Sequence, residues 1–162
     1  MSYQIRKAQK QDWQKIQTLY AGARQFMASH GNPDQWGSQY PPDWMILQDI
    51  TQEKLLLIYD KHGIHGVFYF AVEEDPTYCE IYDGEWNQNE IYGVIHRIAG
   101  DGSGGVLVAA VEYAAGQISY LRIDTHEDNY VMQRALEKQG FLRCGTVRLE
   151  DGTLRIGYDK QI

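Results

Sequence analysis

The first third of the chain changes from a strand pattern to a helical one. Residues 3–7 form a short run typical of a strand, and the apolar residues that follow recur on one face of a helix. That face consists of Trp13, Ile16, Leu19, Tyr20, Ala23, Phe26 and Met27. Residues 29–42 are rich in glycine and proline, which predicts a loop before a second, shorter helix that begins near Asp43.

Two β-rich runs follow, over residues 54–59 and 65–72. They are separated by residues 60–64, in which Gly63 suits the positive φ of a hairpin turn. We therefore predict an antiparallel hairpin. A further strand is predicted at residues 78–82.

The middle of the chain predicts a strand, a glycine turn, a helix and a second strand in direct succession. Residues 91–99 form the first strand and run into the glycine-rich residues 100–105. An apolar stripe over residues 106–114 predicts the helix, and residues 119–124 predict the second strand. Two parallel strands need a crossover connection such as this helix. We therefore expect these two strands to be parallel and their connection to be right-handed.

The last quarter of the chain predicts one more helix and a second hairpin. Asp128 and Asn129 are suited to cap the helix, which Gly140 ends. Residues 142–149 and 154–158 alternate like strands around a Glu-Asp-Gly turn. The sequence therefore predicts an α/β fold whose mixed sheet has one parallel step and antiparallel hairpins elsewhere.

Composition indicates a globular protein with a single domain over residues 1–162. Of the 162 residues, 43% are hydrophobic and 23% charged, which suffices for a buried core. No apolar run approaches the roughly 20 residues that a membrane span needs, and the start of the chain lacks a secretion signal. Cys79 and Cys144 are too few for a disulfide framework, so we expect a reducing cytoplasm.

Charge and histidine spacing argue against two classes of ligand. The net charge of −7 repels a phosphate backbone, so nucleic acid is not expected as a partner. His62 and His65 are close in sequence, but a hairpin without further ligands is poor support for a metal site. We expect no metal, no membrane partner, and either a monomer or a homodimer.

The glycine turn is the most informative feature, because amides at a helix N-terminus form a cradle for phosphate. Gly100, Gly102 and Gly105 match the pattern G-x-G-x-x-G, and Asp124 ends the next strand, as in a dinucleotide-binding protein. Against this, the flanking strands are predicted as hairpins, whereas a dinucleotide fold needs several parallel strands. A surface turn that binds nothing is the third interpretation.

Five segments of the chain resemble the GNAT superfamily of acetyl-coenzyme A-dependent N-acetyltransferases, and the order of elements matches over nearly the whole chain. The segments are HRIA (96–99), LRIDTH (121–126), DN (128–129), MQR (132–134) and EKQGF (137–141). The segment from Arg122 to Phe141 and the following Cys144-Gly145 are most similar to a bacterial subgroup of unassigned substrate, whereas the N-terminal half is similar only in outline. The resemblance implies a mostly antiparallel mixed sheet with about four helices, in which the parallel fourth and fifth strands splay apart.

The same resemblance implies where acetyl-coenzyme A binds. The backbone of Ile98 and Ala99 would bind pantetheine, and Asn129 would contact the cofactor. The pyrophosphate would lie on amides of Gly102, Ser103, Gly104, Gly105, Val106 and Leu107. The tyrosine that many members use as the general acid is replaced here by Leu136, so that role would pass to Tyr130 or to water.

Direct acetyl transfer needs a base for the amine and a pocket for the acceptor. His96 lies in the strand beside the expected cleft, and Asp124 ends the neighbouring strand, so both are candidate catalytic residues. Acceptor-binding candidates are Trp36, Tyr40, Tyr82, Trp86 and His126. Each of these residues also has an ordinary packing or turn-bonding explanation.

We therefore expect an N-acetyltransferase that moves acetyl to a primary amine of a small molecule, in preference to a peptide, within a ternary complex. The alternatives are a non-catalytic coenzyme A-binding module and a dinucleotide-binding protein.

Overall fold

The computed structural model describes residues 2–162, in which seven strands form one sheet and four α-helices cover it. The strands are β1 (Gln4–Lys7), β2 (Leu55–Asp60), β3 (Gly63–Val72), β4 (Gly93–Gly100), β5 (Tyr120–Thr125), β6 (Leu142–Arg148) and β7 (Leu154–Gln161). The helices are α1 (Trp13–Ser29), α2 (Asp43–Thr51), α3 (Val106–Ala115) and α4 (Tyr130–Lys138), with 3₁₀ turns at Lys10–Asp12 and Pro76–Tyr78. The sheet order is β1-β2-β3-β4-β5-β7-β6.

The parallel step and both hairpins are confirmed. β4 and β5 are parallel, and every other strand pair in residues 2–162 is antiparallel. β4 and β5 pair only at their beginnings, through Gly93 with Leu121 and Val94 with Arg122. Beyond these two pairs the strands diverge, and a cleft opens between them.

A β-bulge in β4 shapes the wall of this cleft. Val67 pairs with Ala99 and Tyr69 pairs with His96, so two residues of β4 lie opposite one residue of β3. One of the two, Arg97, has a φ of 49°. Its carbonyl oxygen accepts a hydrogen bond of 2.8 Å from the hydroxyl of Tyr20 in α1. The helix thereby holds the bulge in place.

The sheet separates two hydrophobic clusters, because successive strand residues point to opposite faces. Along β2, Leu55 and Leu57 belong to the cluster beneath α1 and α2, whereas Leu56 and Ile58 belong to the cluster beneath α3 and α4. Helices therefore pack on both faces of the sheet.

The predicted strand at residues 78–82 is wrong. Pro76 has no amide hydrogen to give to a sheet, and the side chain of Asp75 accepts a hydrogen bond from the amide of Thr77. These two features start a 3₁₀ turn, and only Tyr82 makes an isolated bridge, to Thr146. Within residues 2–162, none of the helices has the length and apolar character needed to cross a membrane.

Candidate active site

A first cavity of about 580 Å³ lies between α1, the turn after β4, and α4. Its apolar wall includes Leu19, Ala23 and Met27 from α1 and Met132 and Ala135 from α4. The far part of β4, which no longer pairs with β5, completes it with Ile98 and Ala99. We refer to this space as the cofactor cavity.

The glycine turn closes one end of the cofactor cavity. Gly102, Gly104 and Gly105 have φ values of 89°, 87° and 76°, a region that side-chain-bearing residues rarely adopt. A Cβ atom at Gly100 would come within 2.9 Å of a methyl carbon of Val106, so the turn also needs glycine for close packing. The amides at the start of α3 have no helical acceptor and are free to bind an anion.

A histidine that the sequence analysis did not select for this site holds the glycine turn. His65 places Nδ1 2.8 Å from Oδ2 of Asp101 and Nε2 2.7 Å from Oδ1 of Asp60. The hydrogen bonds to Asp101 and Asp60 raise the pKa of His65. The other oxygen of Asp101 accepts from the amide of Ser103. The hairpin between β2 and β3 thus fixes the turn.

A second cavity of about 640 Å³ lies on the other side of β4. It is bounded by the loop before α2, the segment after β3, the end of β5, and the turn between β6 and β7. Its polar lining includes Glu73, Asp75, His96, Arg97, Asp124 and Arg155. We refer to it as the acceptor cavity. A volume of this size is typical of sites for small molecules.

His96 and Asp75 form a hydrogen-bonded pair in the acceptor cavity, with Nε2 2.6 Å from Oδ2. The amide of Thr77 binds the other carboxylate oxygen at 2.9 Å. Burial alone would raise the pKa of Asp75, but the bonds from His96 and Thr77 outweigh it and hold the pKa below its usual value. An ionised Asp75 only accepts hydrogen bonds, so in the neutral form of His96 the proton is on Nε2 and the lone pair is on Nδ1.

Asp124 is bound by Tyr78, whose hydroxyl donates to Oδ2 at 2.6 Å. Tyr78 is buried, and burial together with the carboxylate of Asp124 raises its pKa well above the usual value. The phenol therefore stays protonated. Its ring centroid is 5.9 Å from that of His96, which places both acid-base pairs in one cluster.

The positive charge of Arg97 is neutralised by a carboxylate that is not among the site residues predicted from the sequence. Its Nε and Nη2 donate to the two oxygens of Asp49 in α2 at 2.8 and 3.0 Å. The guanidinium also lies 4.5 Å from the ring centroid of Tyr69, whose hydroxyl donates to Glu73. The positive charge of Arg97 is therefore already compensated within the protein.

The two cavities share part of their walls. Met27, Ile98, Asn129 and Met132 line both of them. Next to this junction, Oε1 of Gln35 accepts hydrogen bonds of 2.9 Å from the side-chain amides of Asn32 and Asn129. The two cavities are therefore adjacent at these residues.

Most of the predicted site residues lie in these cavities. Ile98, Ala99, Gly102, Gly104, Val106, Leu107 and Asn129 line the cofactor cavity. Trp36, Tyr40, His96 and Asp124 line the acceptor cavity. Asn129 also caps α4, because its side chain accepts from the amide of Met132 at 3.0 Å.

Ser103 and Gly105 do not line the cofactor cavity. The hydroxyl of Ser103 is 3.2 Å from Nδ1 of His65, and a Cβ atom at Gly105 would face Tyr3. Both residues shape the turn, and their side-chain positions point away from the space where a cofactor would lie.

Four other predicted residues lie outside both cavities. Tyr82 is exposed beside β6, Trp86 packs against Gly157, and Nδ1 of His126 accepts from the amide of Asp128. Tyr130 is 60% exposed at the first position of α4.

Leu136 is fully buried in the cluster beneath α3 and α4, so its position could not present a tyrosine hydroxyl without repacking.

Comparisons with known proteins agree with the fold. No family model matches the chain, and no curated protein matches it. A solved structure of a GNAT-family acetyltransferase from Streptococcus agalactiae is 28% identical, with a TM-score of 0.87, over 99% of this chain and 95% of that one. A putative acetyltransferase from Staphylococcus aureus is 21% identical, with a TM-score of 0.69 over 97% of each chain.

A more distant structure, the NatC complex bound to Gag peptide and CoA, has a TM-score of 0.65 at 12% identity, over 100% of this chain and 99% of that one, which is a likeness of fold. The splayed parallel pair, the glycine turn and the two adjacent cavities suit an acyltransferase. The similarity to a GNAT-family acetyltransferase, which extends over nearly the whole chain, supports an N-acetyltransferase. The single parallel pair in residues 2–162 excludes the dinucleotide-binding alternative.

Proposed function

We propose that the protein transfers acetyl from acetyl-coenzyme A to a primary amine of a small molecule by direct attack in a ternary complex. The observation that carries the proposal is the shared wall of the two cavities at Ile98, Asn129 and Met132. Two substrates held in these cavities would meet at that wall without a covalent enzyme intermediate. Holding them together supplies much of the rate acceleration.

The residues of the cofactor cavity fit acetyl-coenzyme A. The amides at the start of α3 suit the pyrophosphate, and the end of β4, whose edge toward β5 is unpaired, suits the pantetheine amides. Oδ1 of Asn32 supports this fit: it is buried and has no hydrogen-bond partner among residues 2–162, although Asn32 lines the cavity. A pantetheine N–H is the kind of donor that such an oxygen needs. The cofactor supplies the activated acetyl thioester.

His96 is suited to take the proton of the amine. With Nε2–H bonded to Asp75, its Nδ1 has a free lone pair, and the carboxylate stabilises the positive ring that proton transfer creates. The amine nitrogen forms the new bond to the carbonyl carbon, and the carbon–sulfur bond breaks. Because a thiol has a pKa of about 8.5, the thiolate leaves without a strong acid, consistent with the buried Leu136.

The β4 bulge is suited to polarise the thioester carbonyl. Arg97 and Ile98 both lie opposite Phe68 of β3, so this part of β4 is out of the regular ladder. Backbone N–H groups released in this way stabilise negative charge that develops on an oxygen beside them.

The size and charge of the acceptor cavity favour a small cationic amine. Its lining includes the carboxylates of Glu73, Asp75 and Asp124, which attract an ammonium group. A folded loop with Trp36 and Tyr40 encloses one side, which leaves less room for a polypeptide.

The test is to incubate the protein with acetyl-coenzyme A and a panel of polyamines, amino sugars, amino acids and short peptides, and to measure release of free thiol. Initial rates against both substrates should give intersecting reciprocal plots. Parallel plots would indicate a covalent acetyl-enzyme and overturn direct transfer. Tight coenzyme A binding with no acceptor in the panel would instead support the non-catalytic module.

A further inference from the structure

Three basic side chains line the acceptor cavity, and two of them have a carboxylate partner. His96 is bound to Asp75, and Arg97 is bound to Asp49. The third, Arg155 in β7, has no carboxylate oxygen of residues 2–162 within 4.0 Å of its guanidinium nitrogens. Arg155 therefore differs from the other two in making no ion pair, and the carboxylate of Asp151 acts on it only from beyond that distance.

Arg155 is also buried. Only 7% of the residue is exposed, and the guanidinium makes hydrogen bonds to two backbone carbonyls, those of Leu154 at 2.9 Å and Gln35 at 3.1 Å. A guanidinium has five N–H donors, so most of them have no acceptor in the described chain. A buried charge without a direct ion-pair partner is costly, which makes an anionic ligand a strong stabiliser at this position.

The carboxylates near the rim of the cavity do not fill this role. Asp34, Glu150 and Asp151 line the same cavity but are exposed, so water screens their charges. One oxygen of Asp151 already accepts from the amide and hydroxyl of Thr153. Asp151 and Arg155 attract each other over a longer distance, and none of the three carboxylates has an oxygen within 4.0 Å of the guanidinium.

The sheet places Arg155 beside the acid-base cluster. Asp124 of β5 pairs with Gly157 of β7, and Arg155 is two residues from Gly157, so Asp124 and Arg155 share one face of the sheet. Diagonal neighbours of this kind have Cβ atoms about 7–8 Å apart. One small molecule is long enough to contact both side chains.

We propose that Arg155 binds an anionic group of the acceptor, so that the substrate is a primary amine that also carries a carboxylate or a phosphate. This inference rests on the proposed acetyl transfer and names its substrate class. The amine would lie toward His96 and Asp124, and the anionic group would accept from the planar fork of Arg155.

The experiment compares matched acceptors. ω-Amino carboxylates of increasing chain length, their neutral amides and the corresponding aminoalkyl phosphonates are assayed for thiol release. A carboxylate preferred over its amide by roughly 10-fold or more in kcat/KM supports the proposal. The phosphonate series shows whether carboxylate or phosphate is the better anion. Equal rates for acids and amides would overturn the role of Arg155 and leave acetyl transfer intact.

Two variants separate binding from folding. Arg155→Gln should raise the KM of the anionic acceptor roughly 10-fold or more, leave kcat within a few-fold, and leave the KM of the amide unchanged. Arg143→Gln, at an exposed position of β6, is the matched control and should change neither. Equal losses with acid and amide would show that Arg155 is structural.

A binding measurement covers the case in which no compound is acetylated. With coenzyme A present, the anionic acceptors should raise the Tm of the wild-type protein and should not raise that of Arg155→Gln. If none of the anionic compounds raises the Tm of the wild-type protein, the proposal is overturned. Failure of coenzyme A itself to bind would instead overturn the proposed function.

Discussion

Nε2 of His96 lies 2.6 Å from Oδ2 of Asp75, and this contact joins the part of β4 that does not pair with β5 to the segment that starts the turn Pro76–Tyr78. The pair is partly exposed to the acceptor cavity, with 21% and 16% of the two side chains accessible. An imidazole held in this way has a fixed proton and a fixed lone pair, which a general base requires.

Replacement of this imidazole should separate catalysis from cofactor binding. We expect His96→Ala to lower kcat by roughly 10²-fold or more, because no other group supplies the lone pair of Nδ1. The Kd for coenzyme A should stay near the wild-type value, since the proposed cofactor contacts are elsewhere. Steady-state kinetics and calorimetry measure the two quantities, and full turnover in the variant would show that the histidine is structural.

The glycine turn should be sensitive to negative charge. Gly102→Glu introduces a carboxylate beside the proposed pyrophosphate site, and we expect it to weaken coenzyme A binding roughly 10-fold or more. Gly152→Glu is the matched control, because Gly152 has a φ of 88° against 89° for Gly102 and open space at its Cβ position.

Both glycine variants should lose about 1 kcal/mol of stability, because each forces a side chain into the left-handed region. Only the first should lose cofactor affinity. Equal affinities in titrations of the two folded proteins would move the phosphate site away from the turn. In a thermal-shift assay of the wild type, acetyl-coenzyme A should raise the Tm and NAD should not.

Restoring the tyrosine that the family resemblance leads one to expect should damage the fold. Leu136 has no exposed surface, so Leu136→Tyr overpacks the cluster beneath α3 and α4 and should cost about 1–3 kcal/mol. Leu136→Met preserves volume and should cost less than about 1.5 kcal/mol. Urea unfolding measures both values, and a rise in kcat for Leu136→Tyr at unchanged stability would contradict this view of the site.

The ion pair between Arg6 and Asp12 should make stability depend on pH. Two hydrogen bonds of 2.9 and 2.8 Å from the guanidinium of Arg6 lower the pKa of Asp12. Burial opposes this shift, and a hydrogen bond from the amide of Gln9 adds to it. Asp12 therefore stabilises the fold above the ordinary carboxyl pKa of about 3.9, and this contribution is lost as pH falls through the lower folded-state pKa.

The corresponding variant, Asp12→Asn, should lose about 1 kcal/mol at pH 7, since more than a third of the Arg6 side chain is exposed and solvent weakens the pair. The difference from wild type should shrink in acid. Lys7→Gln, which breaks an exposed pair of 3.5 Å with Glu53, is the control and should cost less than about 0.5 kcal/mol. A difference that grows as pH falls would contradict the assigned sign.

The parts of the fold that sequence predicts are those with local signals. The turn at Gly63, the cap at Asn129 and the glycines before α3 each act within a few residues, so a single sequence carries them. The prediction of a strand at residues 78–82 was wrong because the aromatic residues there are typical of a strand, whereas Asp75 and Pro76 start a 3₁₀ turn.

The chemistry of the site depends on contacts without a local signal. Asp75 and His96 are 21 residues apart, and Asp49 and Arg97 are 48 apart, so only the folded sheet brings each pair together. Arg155 is a further example. The alternation of residues 154–158 predicts that it lies in a strand, but only the folded structure shows that it makes no ion pair with a carboxylate. Sequence therefore indicates candidate groups and leaves their pairing to tertiary structure.

The wall that the two cavities share, at Met27, Ile98, Asn129 and Met132, also links two kinds of selectivity. An acyl group longer than acetyl would extend past this wall and occupy space that the acceptor otherwise fills. A longer acyl chain and a bulkier amine therefore compete for the same volume. A variant that accepts longer acyl chains should also change which amines the protein accepts.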